Sequence, residues 1–141
     1  MSRASVTVDG RVVGAIERGL LVLAGVAMGD GPADIEYIAS KVRDLRIFPD
    51  EEGRMNRSVG SAGGGVLVVS QFTVMADARK GRRPAFDAAA APEDARVAFS
   101  ALVARMRVDG PVETGVFQAH MDVELVNDGP VTVLLDSRRL F

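Results

Sequence analysis

The sequence contains no cysteine, which excludes disulfides and any thiolate-ligated zinc site. Its single histidine is His120, so a histidine-rich metal site or a Ser-His-Asp triad would have to rest on that side chain alone. Standing beside a run of strand character, His120 reads as a surface residue and is assigned no role. No apolar run approaches the roughly eighteen residues of a membrane span, and no signal peptide opens the chain. The protein is therefore expected to be soluble and cytoplasmic, without a membrane partner. A net charge of −2 argues against holding nucleic acid through an overall positive field, although a local basic patch stays open. No repeat, low-complexity tract or linker divides the chain. With 141 residues, 48% hydrophobic and 26% charged, it is long enough to build one core and too short for two ordinary domains. A single domain over 1–141 is expected.

Apolar patterning and turn residues mark the elements. Ser5 to Val8 and Arg11 to Val13 flank Asp9-Gly10, the signature of a two-residue hairpin. Gly19 to Val26 is a continuous apolar run of strand length, read as buried on both faces. After Gly29-Asp30-Gly31, Pro32 suits the first turn of a helix, and Ile35, Ile38, Val42 and Leu45 recur at helical spacing over about Ala33 to Arg46. Pro49 to Gly53 is a charged turn. Gly-rich Ser61 to Gly65 leads into Val66 to Val74, read as a central strand. This is no phosphate loop, which would follow a strand, open a helix and carry a Lys-Ser/Thr pair. Ala91-Pro92 starts a second helix with Phe99, Leu102, Val103 and Met106 on one face and Gly110 as its stop. Met121, Val123 and Leu125 alternate with Asp122 and Glu124 as in a half-solvated strand. Some six strands and two helices that do not alternate strictly predict a single α/β domain of α+β type. Its mixed or antiparallel sheet would curl toward a barrel, with the two helices packed outside.

Three stretches carry possible chemistry. The strand from Val66 ends in Ser70, Gln71 and Thr73, polar groups among buried neighbours that must either satisfy one another or line a pocket. Arg79, Lys80, Arg82 and Arg83 form the densest positive cluster, a solvated loop or a patch that grips phosphates. Asn127-Asp128-Gly129-Pro130-Val131-Thr132 lies between two alternating apolar runs, Met121 to Val126 and Val131 to Leu135. Proline after Asn-Asp-Gly fixes φ and removes a donor, and an X-Pro bond in a tight bend is where a cis peptide is affordable. These six residues make either an ordinary turn or a rigid loop that aims its backbone carbonyls.

Ser70-Gln71-Phe72-Thr73, followed by Asn127-Asp128-Gly129-Pro130-Val131-Thr132, closely resembles the D-aminoacyl-tRNA deacylases. Arg3-Ala4-Ser5-Val6, Gly19 to Leu23, Arg46-Ile47-Phe48, Met55-Asn56, Gly64-Gly65, Gly81-Arg82-Arg83-Pro84, Thr114-Gly115-Val116-Phe117 and Met121 fall in that family's order, so the likeness spans nearly the whole chain. It implies a hydrolase, acting without a cofactor or metal, that cleaves the ester between a D-amino acid and the terminal adenosine of tRNA. Glycyl esters mischarged on tRNA-Ala are implied as a further substrate. It also implies a homodimer in which each Gly129-Pro130, held cis, enters the partner's pocket. There its carbonyls accept hydrogen bonds from the α-amino group and its wall excludes L side chains, a clash built against the wrong substrate. Asn127, Val131 and Thr132 belong to the same substrate-binding loop.

By the same resemblance Ser70, Gln71, Phe72 and Thr73 form the opposite, catalytic wall. Thr73 is a natural nucleophile by residue type, yet no histidine or lysine near it in sequence could act as its base. The resemblance implies instead that the ribose 2′-hydroxyl helps activate water while backbone N–H groups near Phe72 and Thr73 steady the oxyanion. Phe117, Ala119 and Met121 match a segment flanking the pocket, where Phe117 either stacks on the terminal adenine or serves as a core aromatic. The basic loop is a candidate acceptor-stem contact, and no DNA partner is implied. Two departures stand out. The family has a further short strand ending in Gln-Arg ahead of the segment matching Ser2 to Ser5, whereas this chain starts at Met1; a bare sheet edge and loss of an arginine bracing the Gly-Pro loop are expected. Ala85 stands where serine is usual. The alternatives are a non-catalytic dimer that binds tRNA ends, and a related deacylase for small L-aminoacyl-tRNA.

Overall fold

The computed structural model describes residues 1–141. Its first two strands, β1 (Arg3–Val8) and β2 (Arg11–Ile16), are antiparallel and joined through Asp9 and Gly10, both at positive φ (49° and 76°). That is the primed-turn geometry the Asp-Gly pair predicts. The apolar run gives β3 (Gly19–Ala24), and Pro32 opens α1 (Pro32–Asp44). A small hairpin, β4 (Phe48–Pro49) with β5 (Met55–Arg57), precedes β6 (Gly65–Ser70). Then come a 3-10 turn (Phe72–Met75), α2 (Pro92–Arg107), β7 (Val112–Thr114) and β8 (Asp122–Val126).

The ladders divide into an antiparallel sheet ordered β2-β1-β8, a parallel sheet ordered β3-β6-β7, and the β4-β5 pair. This is the mixed architecture with two helices that the sequence predicts. The curvature expected of one sheet is divided between two sheets packed face to face. β6 is the middle of the domain, and its period-2 alternation explains its unbroken apolar run. Val66 and Val68 face the helices, joining Ala39 and Val42 of α1 and Phe99, Leu102, Val103 and Met106 of α2. Leu67 and Val69 face the antiparallel sheet, meeting Ala4 and Val6. A strand covered on both faces has no solvent side on which to place polar residues. The predicted face of α2 is the buried one, residue for residue.

Four expectations are corrected. β3 is half-buried rather than buried on both faces, with Leu23 45% exposed, because it is the edge of the parallel sheet; its start pairs with Met1 through Met1 N to Gly19 O (3.0 Å) and Gly19 N to Met1 O (3.1 Å). The strand read as Val66 to Val74 stops at Ser70, and the chain turns into the 3-10 segment. The run Val131 to Leu135 forms no strand. β8 is exposed along its whole length rather than on one face, because it is the edge of the antiparallel sheet. No helix is long and apolar enough to cross a membrane.

Candidate active site

In open α/β sheets ligands bind beyond the carboxyl ends of the parallel strands. Here those ends are Ala24 of β3, Ser70 of β6 and Thr114 of β7. The Ser70–Thr73 motif leaves β6 at this rim. Gln71 N–H donates to Ala24 O at 2.8 Å, and the turn then closes with Val74 N–H to Gln71 O at 3.3 Å. The amides of Phe72 and Thr73 open that turn, ahead of its first i→i+3 bond, where backbone donors have no partner within the helix. The turn sits close against Gly25: a Cβ there would lie 2.3 Å from Val74 Cγ2 and 3.2 Å from Gln71 O, so only glycine lets the two segments meet.

Of the polar groups that looked out of place on a buried strand, Ser70 and Gln71 are half-buried at the rim and Thr73 is at the surface. Gln71 Nε2 donates to Thr73 Oγ1 at 2.9 Å, and Thr73 is exposed. No side-chain base contacts the Thr73 hydroxyl, whose hydrogen-bond partner is this amide. Phe72 is 59% exposed and its ring meets Phe86 edge-on at 5.0 Å.

Phe86 lies just beyond the neck of the basic loop. Asp77 and Ala85 exchange two backbone hydrogen bonds (2.7 and 2.9 Å), which hold residues 78–84 as a closed projection beside Phe72. Ala85 takes part through its backbone alone, so the departure from serine leaves the neck intact. Arg79 grips Asp77 with two nitrogens, Nε at 2.9 Å and Nη2 at 2.6 Å. That pairing holds the Asp77 carboxyl down to about 2. Lys80, Arg82 and Arg83 are exposed and make no ion pair. The cluster that reads as four equivalent cations therefore offers three free ones.

The turn after β7 reaches the same rim, since Gly115 N–H donates to Val68 O at 3.4 Å. Phe117 is half-buried, 6.0 Å from the Phe99 ring, with the Arg96 guanidinium over it at 4.7 Å. Ala119 N–H closes the turn onto Val116 O at 3.2 Å. Met121 packs beside Gly115 and against the core formed by Val6 and Leu67. His120 is exposed.

The Gly129-Pro130 peptide is cis, Gly129 has φ +145°, and both residues are exposed. Asn127 spans the loop from inside it: its Oδ1 accepts from Val131 N at 3.2 Å and its Nδ2 donates to Thr132 Oγ1 at 3.3 Å. Asn127 and Thr132 thus brace the loop, while Gly129 and Pro130 form its tip. Within one chain no hydrogen bond links residues 127–132 to residues 70–73.

Sequence reasoning missed the anchor of the segment after this loop. Ser137 Oγ donates to Asp34 Oδ1 at 2.8 Å, and Arg138 Nη2 donates to Met28 O at 2.8 Å and lies 3.4 Å from Asp30 Oδ1. Asp34 also accepts from Gly31 N–H at 2.8 Å. That bond first, and then Ser137, keeps its carboxyl below its ordinary value. An acidic residue three positions after Gly31 signals a helix start, but nothing local could show its second partner. No three His, Cys, Asp or Glu side chains converge to hold a metal ion. A polar depression of about 310 Å³ between the helices, lined by Ser40, Arg43 and Arg105 among others, contains no residue of either motif.

Known proteins resemble this chain in sequence and in fold. The D-aminoacyl-tRNA deacylase of Koribacter versatilis is 61% identical over 142 residues, covering 100% of this chain and 95% of its own length. Among solved structures, one described as c-Myc DNA Unwinding Element Binding Protein superposes with a TM-score of 0.91 at 37% identity, covering 96% of this chain and 93% of its own. A probable eukaryotic D-amino acid tRNA deacylase shares the fold, with a TM-score of 0.70 at 16% identity over 88% of each chain. The model of the D-Tyr-tRNA(Tyr) deacylase family matches residues 1–136, which takes in the Ser70–Thr73 turn, the Phe117 turn and the Gly129-Pro130 loop together. With nearly its whole length matched and both motifs at exposed positions of one fold, the chain belongs to the D-Tyr-tRNA(Tyr) deacylase family.

Proposed function

We propose that the protein hydrolyses the ester of D-aminoacyl-tRNA, releasing the D-amino acid and tRNA, and does so as a homodimer in which Gly129 and Pro130 of one copy face Ser70–Thr73 of the other. Glycyl esters on tRNA-Ala pass the same screen, having no side chain to exclude. The observation that carries this reading is the pair of exposed motifs, each fixed by its own chain and not hydrogen-bonded to the other within it. Apolar side chains left bare on β8 and the tail, notably Val123, Leu125, Leu134, Leu140 and Phe141, give a second copy a surface to cover.

In this mechanism the substrate carbonyl sits against the opening amides of the 3-10 turn, which stabilise the developing oxyanion. The ribose 2′-hydroxyl helps activate the attacking water, and the carbonyls of Gly129 and Pro130 receive the α-amino group. An L side chain would be driven into the loop, which Asn127 stiffens. Lys80, Arg82 and Arg83 contact acceptor-stem phosphates, positioning without reading sequence.

The deciding experiment is hydrolysis of D-tyrosyl-tRNA beside L-tyrosyl-tRNA by the purified chain, with its mass measured in solution. Loss of the D ester alone, from a particle of twice 14.9 kDa, is the expected result; survival of both esters overturns the reading. The likeness to the c-Myc DNA Unwinding Element Binding Protein favours a second reading, binding of DNA without turnover. It predicts retention of DNA by the purified chain with both esters intact.

A further inference from the structure

Arg96 is in the second turn of α2, where an arginine would ordinarily extend into water. Instead it folds down onto the turn after β7. Its guanidinium carbon lies 4.7 Å from the centre of the Phe117 ring, and Nη2 donates to Gln118 Oε1 at 2.9 Å. Gln118 is held at φ +63°, a conformation few non-glycine residues adopt. On its own helix Arg96 has Glu93 Oε2 at 3.7 Å, a loose contact at the surface. The ring face under the guanidinium is therefore occupied, and Phe99 engages the same ring at 6.0 Å. A nucleotide base approaching Phe117 on that face meets the guanidinium first. Nearly half of the Arg96 side chain stays exposed (46%). A guanidinium plane stacks on unpaired bases as aromatic rings do, and it adds a positive charge that a ring lacks.

We propose that Arg96, held over the Phe117 ring and fixed by Gln118, is the platform on which the terminal base of the unpaired RNA 3′ end stacks, with its charge toward the adjoining phosphate. This rests on the deacylase reading for its choice of ligand. It moves the base contact from the phenylalanine to an arginine of a different element. It also gives Gln118 a purpose, since the hydrogen bond stops the guanidinium from swinging free.

The test is a cycle that removes either the arginine or the base. Binding of two RNA minihelices, one ending in CCA and one ending in an abasic ribose after CC, is measured with the full-length wild type, Arg96→Ala and Arg96→Lys. For the wild type, removing the base weakens binding about tenfold, the scale of one base stack. For Arg96→Ala, removing the base changes nothing, because the platform is already gone. Arg96→Lys keeps the salt dependence of the wild type but stays insensitive to the base, since an ammonium has charge without a plane. A merely structural role would weaken both RNAs equally in Arg96→Ala and leave the base effect intact, and that outcome overturns the proposal. A wild type that ignores the base also overturns it. If the wild type spares D esters yet shows the Arg96-dependent base effect, the deacylase reading falls and the platform stands. If it cleaves D esters while Arg96→Ala keeps the full base effect, the reverse holds.

Discussion

The Ser137 hydroxyl donates to the Asp34 carboxylate at 2.8 Å, a bond between residues 103 apart in sequence. It ties the chain that leaves the Gly129-Pro130 loop to the first turn of α1, where Asp34 already accepts from Gly31 N–H. One carboxylate thus serves as both a helix cap and a mooring for the tail. Asp34→Ala is expected to cost about 0.5–2 kcal/mol, the range for a lost cap, and Ser137→Ala about 1 kcal/mol, a single hydrogen bond. Both should speed proteolytic release of the tail, measured beside thermal melting. A tail no more sensitive in either variant would show that the mooring does not hold it.

The same carboxylate gives a pH dependence. Asp34 lies below its ordinary value of 3.8 in the folded chain, chiefly through Gly31 N–H and then Ser137. A depressed carboxylate stabilises the fold above its unfolded value, and that contribution is lost as pH falls through the lower, folded one. Wild type and Asp34→Asn should therefore differ by a constant amount at neutral pH and converge as pH drops below about 4. A gap that persists unchanged to pH 2 would assign the stabilisation to something other than the charge.

Gly129 has φ +145°, and an added Cβ would lie 2.9 Å from Val131 Cγ2. Gly129→Ala therefore strains the loop by about 1–3 kcal/mol. The strain is confined to an exposed tip, so the core should melt nearly as before. The loop will relax instead, and the D-over-L hydrolysis ratio should fall at least tenfold. An unchanged ratio would remove the loop from chiral selection.

Thr73 Oγ1 accepts from Gln71 Nε2 at 2.9 Å and has no side-chain base. Thr73→Ala should lower the rate of D-ester hydrolysis by less than about tenfold, because a hydroxyl without a base is a poor nucleophile. A fall to the uncatalysed rate, with the melting curve intact, would restore Thr73 as the nucleophile.

Arg79 is committed to Asp77 by two short contacts, whereas Arg82 and Arg83 are free. Replacing Arg82 or Arg83 by alanine should flatten the dependence of log Kd for tRNA on log salt by about 1 each. Arg79→Ala should flatten it by less, having no free charge to give up. Equal slopes for all three would place the Asp77 pair outside the binding argument.

Much of the architecture was legible because it depends on short-range chemistry. Asp9-Gly10 specifies a hairpin by its own backbone preferences, Pro32 and Pro92 mark helix starts, and the 3.6-residue spacing of Phe99, Leu102, Val103 and Met106 marks the face that α2 buries. β3 and β6 show the limit of such reading. Both are apolar runs of six residues, yet one is a half-buried edge and the other a buried centre. What separates them is the number of neighbours each acquires on folding, which no local pattern encodes.

The sequence by itself determined the family, through two motifs in fixed order, and so named Ser70–Thr73 and Asn127–Thr132 together. Their residue types and order are properties of the chain and survive unfolding. Only the tertiary structure decided what each side chain does there. It showed that the Asn127 side chain braces its own loop, and that Arg79 is paired with Asp77 while Arg82 is unpaired. It also laid Arg96 over Phe117 and joined Asp34 to Ser137. Hydrogen bonds and ring contacts act over a few ångströms, so they depend on which distant segments packing brings together. That choice is made by the whole core at once.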